Sequence, residues 1–184
     1  GSLSFSANQI AVTIESISFM PGWGFAIACT ALVGHSIGGK NFRQAKNYAN
    51  ASAFISAVVM GFFSLIFLLF SEELISMFIK KDEIEVIKLG SMCLMIGAAQ
   101  QIPMAVDMVL AGALKGSGDT KTPFNIAFIC NWGIRLPLMF YFIYMKKMPI
   151  TYFWIITVIQ WFIESGILIY KYRKKFKAMI QKNK

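Results

Sequence analysis

Four ionisable residues, Glu15, Asp107, Arg135 and Glu164, stand inside otherwise apolar stretches of this chain. A charge in such surroundings is costly unless it faces a cavity or a partner. A carboxylate held there can trade a proton for another cation as its environment changes, so the chemistry on offer is reversible cation binding. Spacing sharpens this: Gln100, Pro103 and Asp107 fall at i, i+3 and i+7, and Thr157, Gln160 and Glu164 repeat the pattern, giving each helix one polar stripe aimed inward. Asn131 and Arg135 lie four apart, and Asn8, Glu15, Ser18 and Gly22 share a face. Asp107, Glu15, Glu164, Gln100 and Asn131 are the candidates for binding substrate or coupling ion, with Arg135 as a structural ion-pair partner. The competing reading of each charge is a static ion pair.

No other reactive set can be assembled. There is no Ser-His-Asp set, no carboxylate pair at hydrolase spacing and no metal cluster, so neither a catalytic residue nor a bound metal or cofactor is expected. Cys29, Cys93 and Cys130 lie in or beside apolar runs at no ligand spacing and read as small buried hydrophobes. GHSIGGKN at 34–41 satisfies G-x-x-x-x-G-K, but Asn41 stands where a phosphate loop needs Ser or Thr, and an apolar helix precedes it where a strand should. Gly34, Gly38 and Gly39 are expected to end a helix and turn the chain, with Asn41 or Asn47 capping the next. His35 has no second ligand nearby.

The elements that carry these residues are apolar runs at 10–33, 49–70, 84–114, 124–145 and 150–170. With 57% hydrophobic residues and a mean hydropathy of +0.60, the chain exceeds an ordinary soluble domain. About 20 helical residues cross a bilayer core, and the runs lack the alternation of barrel strands. The expected fold is all-α, a bundle of five transmembrane helices. The third run, longest and holding Pro103, is expected to tilt, kink or begin in the headgroup layer, as one span. Residues 71–83 alternate charges with Leu74, Ile75, Phe78 and Ile79 and read as an interfacial connector. Asp107 and Glu164 each lie about 10 Å inside one end of their spans and could meet, with Arg135 reaching toward them from about 17 Å. Glu15 is nearer the other surface and is expected to act alone.

Lys40, Arg43, Lys46, Lys115, Lys121 and seven further cations in the tail 171–184 share one side. The other side mixes Lys80, Lys81, Lys88, Lys146 and Lys147 with Glu72, Glu73, Asp82, Glu83 and Glu85. The positive-inside rule makes the first side, and the basic tail, cytoplasmic. The net charge of +9 is then topology and contact with membrane lipid, and no nucleic-acid partner is expected. Met20, Met92, Met95 and Met104 are candidate contacts for a hydrophobic ligand. Trp23, Tyr144, Tyr152, Trp154, Tyr170 and Tyr172 are candidate interfacial anchors.

Between the third and fourth runs, Gly112 and Gly116 form G-x-x-x-G, a pattern that lets helices approach closely. Asp119 or Thr120 can cap the following helix, with Pro123 in its first turn. This segment, LKGSGDTKTP at 114–123, resembles the glycine-rich turn of the multidrug and toxic compound extrusion family, on Leu114, Lys115, Gly116, Gly118, Asp119 and Thr120, with Lys115 where arginine is more usual. FMPGWGFAIACTALVGHSIGGKN at 19–41 and SEELISMFIKKDEIEVIKLGS at 71–91 extend the resemblance over most of the chain.

The resemblance implies five of the six helices of the C-terminal lobe of a twelve-helix transporter, working with a missing N-terminal lobe. It further implies a multi-pass plasma-membrane antiporter, not an enzyme, that exports organic cations or amphipathic drugs in exchange for protons or sodium. The absence of an initiator Met and the odd number of spans agree with part of a longer protein. The acidic residue of sodium-coupled members falls near Met104, a turn before Asp107. A lipid-linked oligosaccharide flippase of related architecture and a non-transporting membrane scaffold are the alternative functions.

Overall fold

The computed structural model describes residues 2–79 and 83–182, and every regular element among them is helical. Lys80, Lys81 and Asp82, used above to assign the sides of the membrane, lie outside the described residues. The helices are α1 (Ser2–Gly38), α2 (Phe42–Leu69), a short α3 (Ser71–Ser76), α4 (Ile84–Ala98), α5 (Gln101–Gly116), α6 (Lys121–Phe128), α7 (Leu136–Met139) and α8 (Thr151–Lys182). Between α6 and α7, and again after α7, the chain continues as π-helix over Ile129–Arg135 and Phe140–Met145. Lys121–Met145 is therefore one continuous rod. Four helices are long and apolar enough to cross a membrane, and α4 with α5 makes a fifth when the bent pair counts as one span.

The third run departs most from expectation. It is broken into two helices bent by 49°. Pro103 has no amide to donate and its ring crowds the carbonyl four residues back, so regular pairing fails around Ala99 and Gln100. The break is satisfied from outside: the Ser64 hydroxyl of α2 donates to the Ala98 carbonyl at 2.8 Å. Trp154 of α8 packs so tightly against Gly97 that a Cβ there would come within 2.6 Å of the indole ring. The indole N–H donates to Asn8 of α1 at 3.1 Å, so three helices meet at the bend.

The other helices overrun their apolar cores. α1 covers 37 residues and contains Gly34, which does not turn the chain as expected but packs against the Gly116 carbonyl. The turn after α1 instead places Lys40 at φ 57. Asn41 then caps α2, its side chain accepting the Gln44 amide at 3.1 Å. The basic tail is no separate segment, since residues through Lys182 continue the helix of the last span. The π-helical turns were not foreseen, because a 3.6-residue period was assumed throughout the fourth run. Phe54, Val58, Phe62 and Leu65 on α2, and Phe128, Trp132 and Phe140 on the rod, are exposed. Such apolar surface suits contact with lipid chains.

α1 and α5 meet backbone to backbone. A Cβ on Gly112 would lie 2.5 Å from the Ala26 carbonyl oxygen, and one on Gly116 would lie 2.4 Å from that of Thr30. The Thr30 hydroxyl donates to the Gly112 carbonyl at 3.0 Å and to the Ala26 carbonyl at 2.8 Å, closing the seam. A methyl group cannot enter without parting the helices, so Gly112→Ala is expected to cost about 1–3 kcal/mol. Gly24→Ala, where nothing lies within 4 Å of the added carbon, should be neutral or mildly stabilising through helix propensity. Thermal melts of the two variants of the full-length protein check this, and equal melting temperatures would refute the seam.

Candidate functional site

The seam fixes how α5 is rotated, and with it where Asp107 points. At about 100° per residue, Asp107 lies about 140° around the helix from Gly112. It therefore lies to one side of the seam, in a cavity of about 520 Å³ lined by α1, α5, α6 and α8. Glu164 enters the same cavity from α8 and Asn131 from the Lys121–Met145 rod. The two carboxylates are near enough to feel each other's charge, and Lys115, at the open end, feels Asp107. Aromatic walls come from Phe19, Trp23, Phe124 and Trp161, with Met108 beside Asp107.

Asp107 is 7% exposed, and its Oδ1 is buried with no hydrogen-bond partner in the chain. Glu164 accepts one bond, from Gln160 Nε2 at 2.6 Å, while the Gln160 carbonyl oxygen is left unpartnered. The polar stripe Thr157, Gln160, Glu164 is buried along its length. Asn131 donates to the Ala127 carbonyl at 2.8 Å, keeping its amide on the cavity side.

The remaining candidates form a second polar cluster. Gln100 sits at the break and turns to Glu15, to whose carboxylate it donates a hydrogen bond. Gln101 donates to the same oxygen at 3.4 Å, and the Ser18 hydroxyl donates to Gln101 at 3.0 Å. Glu15 therefore does not act alone: it ties α1 to the start of α5. Gln100 and Asp107, expected on one stripe, are separated by the break. Arg135 does not line the cavity. Its guanidinium rests 5.5 Å from the Phe153 ring centre, within electrostatic reach of Glu15 and Glu164. Among the described residues the ion pair within 4 Å is Lys175 with Asp119, at 3.2 Å.

That pair belongs to the glycine-rich turn. Gly118 adopts φ 83, a conformation open to glycine, and the Asp119 amide donates back to the Leu114 carbonyl at 2.9 Å. Asp119 rather than Thr120 supplies the cap, accepting from the Thr122 amide at 3.0 Å and the Thr122 hydroxyl at 2.8 Å. Partial burial raises the Asp119 carboxyl, but Thr122 and Lys175 together outweigh it and hold the group below its ordinary 3.8. A depressed carboxylate stabilises at pH values above the unfolded pKa and loses that contribution as pH falls through the folded one, so this cap is intact at neutral pH.

Several aromatic and methionine assignments change. Met20, Met92 and Met95 are exposed and Met104 packs against Met60, while the methionine that lines the cavity is Met108. Trp154 and Tyr172 are buried and so are not interfacial anchors, while Trp23, largely exposed, also lines the cavity. Met108 directly follows Asp107, so a cavity with a carboxylate at that depth would have pointed to it.

A MatE family model matches residues 1–141. Among curated relatives, a probable multidrug resistance protein NorM of Thermotoga maritima is 32% identical over 140 residues, covering 76% of this chain and 30% of that protein. A multidrug resistance protein MdtK of Proteus mirabilis is 30% identical over 137 residues, covering 74% and 30%. The chain thus spans about a third of the length of such relatives. Of solved structures, a MATE in complex with MaD3S aligns with TM-score 0.83 at 19% identity, over 92% of this chain and 38% of that one. An inward-facing multidrug resistance MATE family transporter of the MOP superfamily aligns with TM-score 0.82 at 15% identity, over 98% and 43%. At such identities these likenesses establish the fold.

A buried carboxylate without a partner is a cost to folding. Breaking a buried ion pair typically costs about 3–5 kcal/mol, whereas neutralising an unpaired charge relieves strain. Asp107→Asn is therefore expected to leave the melting temperature of the full-length protein unchanged or raise it. A fall of several degrees would make Asp107 a structural ion-pair member.

Proposed function

This chain belongs to the MatE family, and from that premise we propose that the protein containing it is a secondary active antiporter. It exports organic cations or amphipathic compounds across the cell membrane in exchange for protons or sodium, and it does no covalent chemistry on them. The observation that carries this reading is Asp107 Oδ1, buried without a partner in an aromatic-walled cavity. Two carboxylates in one low-dielectric cavity repel when both are charged. A proton, a sodium ion or a cationic substrate placed between them relieves the repulsion, and occupancy by one excludes the others. That competition is what couples export to ion entry.

The aromatic walls favour flat or lipophilic cations, whose charge interacts with ring faces and whose apolar parts leave water. Two carboxylates against Lys115 disfavour an anionic lipid pyrophosphate, which is the substrate charge a flippase would need to hold. Four helices line the cavity, and an N-terminal lobe is the partner that completes its open side. The basic ends of the helices and the α8 extension face the cytoplasm by the positive-inside rule.

Expressed full-length in a host lacking its own exporters, the protein should drive efflux of a fluorescent organic cation under an imposed proton or sodium gradient. Asp107→Asn at matched membrane abundance is expected to reduce the rate by at least about tenfold, as loss of a charged partner worth 1.4 kcal/mol or more would do. Undiminished efflux in that variant would remove Asp107 from the mechanism.

A further inference from the structure

A second hollow, of about 790 Å³, lies between α2, α5 and α8 on the far side of α5 from the charged cavity. Its floor is apolar, built by Val106, Leu110 and Ile169, and its rim at the basic end carries Lys46, Arg173 and Lys177. No carboxylate lines it, and none of the three cations has an anionic partner among the described residues. The groove is a formed feature rather than a loose edge. Tyr172 closes it by donating to Asn50 of α2 at 2.9 Å and to the Lys46 carbonyl at 3.3 Å, locking the α8 extension onto α2.

The dimensions are those of an amphiphile. Arg173 and Lys177 stand about 6 and 12 Å beyond Ile169 along α8, while Val106 lies about 15 Å inside the end of α5. Three unpaired cations thus sit at headgroup height above an apolar channel running into the bilayer. Basic pockets between membrane helices on the cytoplasmic side suit anionic headgroups.

We propose that this groove binds one anionic phospholipid of the inner leaflet, its phosphate held among Lys46, Arg173 and Lys177 and an acyl chain laid over Val106, Leu110 and Ile169. The assignment rests on the orientation proposed above and is independent of Asp107 and of transport. A bound lipid would fasten α8 to α2 at the end where Lys175 already fastens it to the glycine-rich turn.

The test is native mass spectrometry of the delipidated full-length protein with added palmitoyl-oleoyl phosphatidylglycerol or phosphatidylcholine. One phosphatidylglycerol should be retained in preference to phosphatidylcholine. Combined Lys46→Gln, Arg173→Gln and Lys177→Gln should weaken that binding roughly hundredfold, from about a factor of five per cation. Arg43→Gln, Lys171→Gln and Lys174→Gln remove as many charges outside the groove and should leave it unchanged. Equal retention of both lipids, equal loss in both triple variants, or displacement by glycerol 3-phosphate as readily as by the lipid would each overturn the proposal. The lipid readout needs no efflux, so a failure here is separable from a failure of the antiport reading.

Discussion

The contact on which the rest depends is the backbone seam between α1 and α5. Gly112 and Gly116 let the carbonyls of Ala26 and Thr30 approach to distances that any side chain would block, and in lipid such close approach, not hydrophobicity, holds helices together. The seam sets the rotation of α5, so that Asp107 faces α8 and α6 while Leu110 and Val106 face α2. The charged cavity and the apolar groove are two consequences of one helix orientation. The Thr30 hydroxyl, bonded to carbonyls on both helices, adds the directionality that van der Waals contact lacks.

At the other end of α5 the same helix is held by polar groups. The break at Ala99 and Gln100 frees backbone and side-chain groups in a region with no water to satisfy them. Ser64 takes the Ala98 carbonyl, and Glu15 takes the amides of Gln100 and Gln101. These bonds tie α1 and α2 to the break, while the Gln100 Oε1 is left buried without a partner. Asp107 differs because nothing in the chain donates to its buried Oδ1, and that contrast with Glu15 underlies the binding role proposed for Asp107.

The sequence made the spans, the Gly112 and Gly116 packing, the Asn41 cap and the inward stripe of α8 legible, because each follows from local periodicity or a single residue's chemistry. It also put Asp107 and Glu164 at matching depth, which helical rise alone supplies. It did not yield the 49° break, although Pro103 was its signal, since a proline can kink a helix without dividing it. The π-helical turns and the partners of Glu15 and Arg135 were hidden for a different reason. Periodicity tells which residues share a face but not which neighbour that face meets, so Gln100 was grouped with Asp107 rather than with Glu15. The place of Trp23 and Met108 on the cavity wall is hidden likewise, being set by how whole helices pack.

Competition between cations at the Asp107 and Glu164 cavity is the core of the account, and it can be measured without a membrane gradient. Titration of tetraphenylphosphonium into the purified full-length protein, across a series of pH values and sodium concentrations, tests it most directly. The apparent affinity is expected to fall in proportion as the coupling ion, proton or sodium, is raised. An affinity indifferent to both ions would contradict the shared site and with it the proposed exchange.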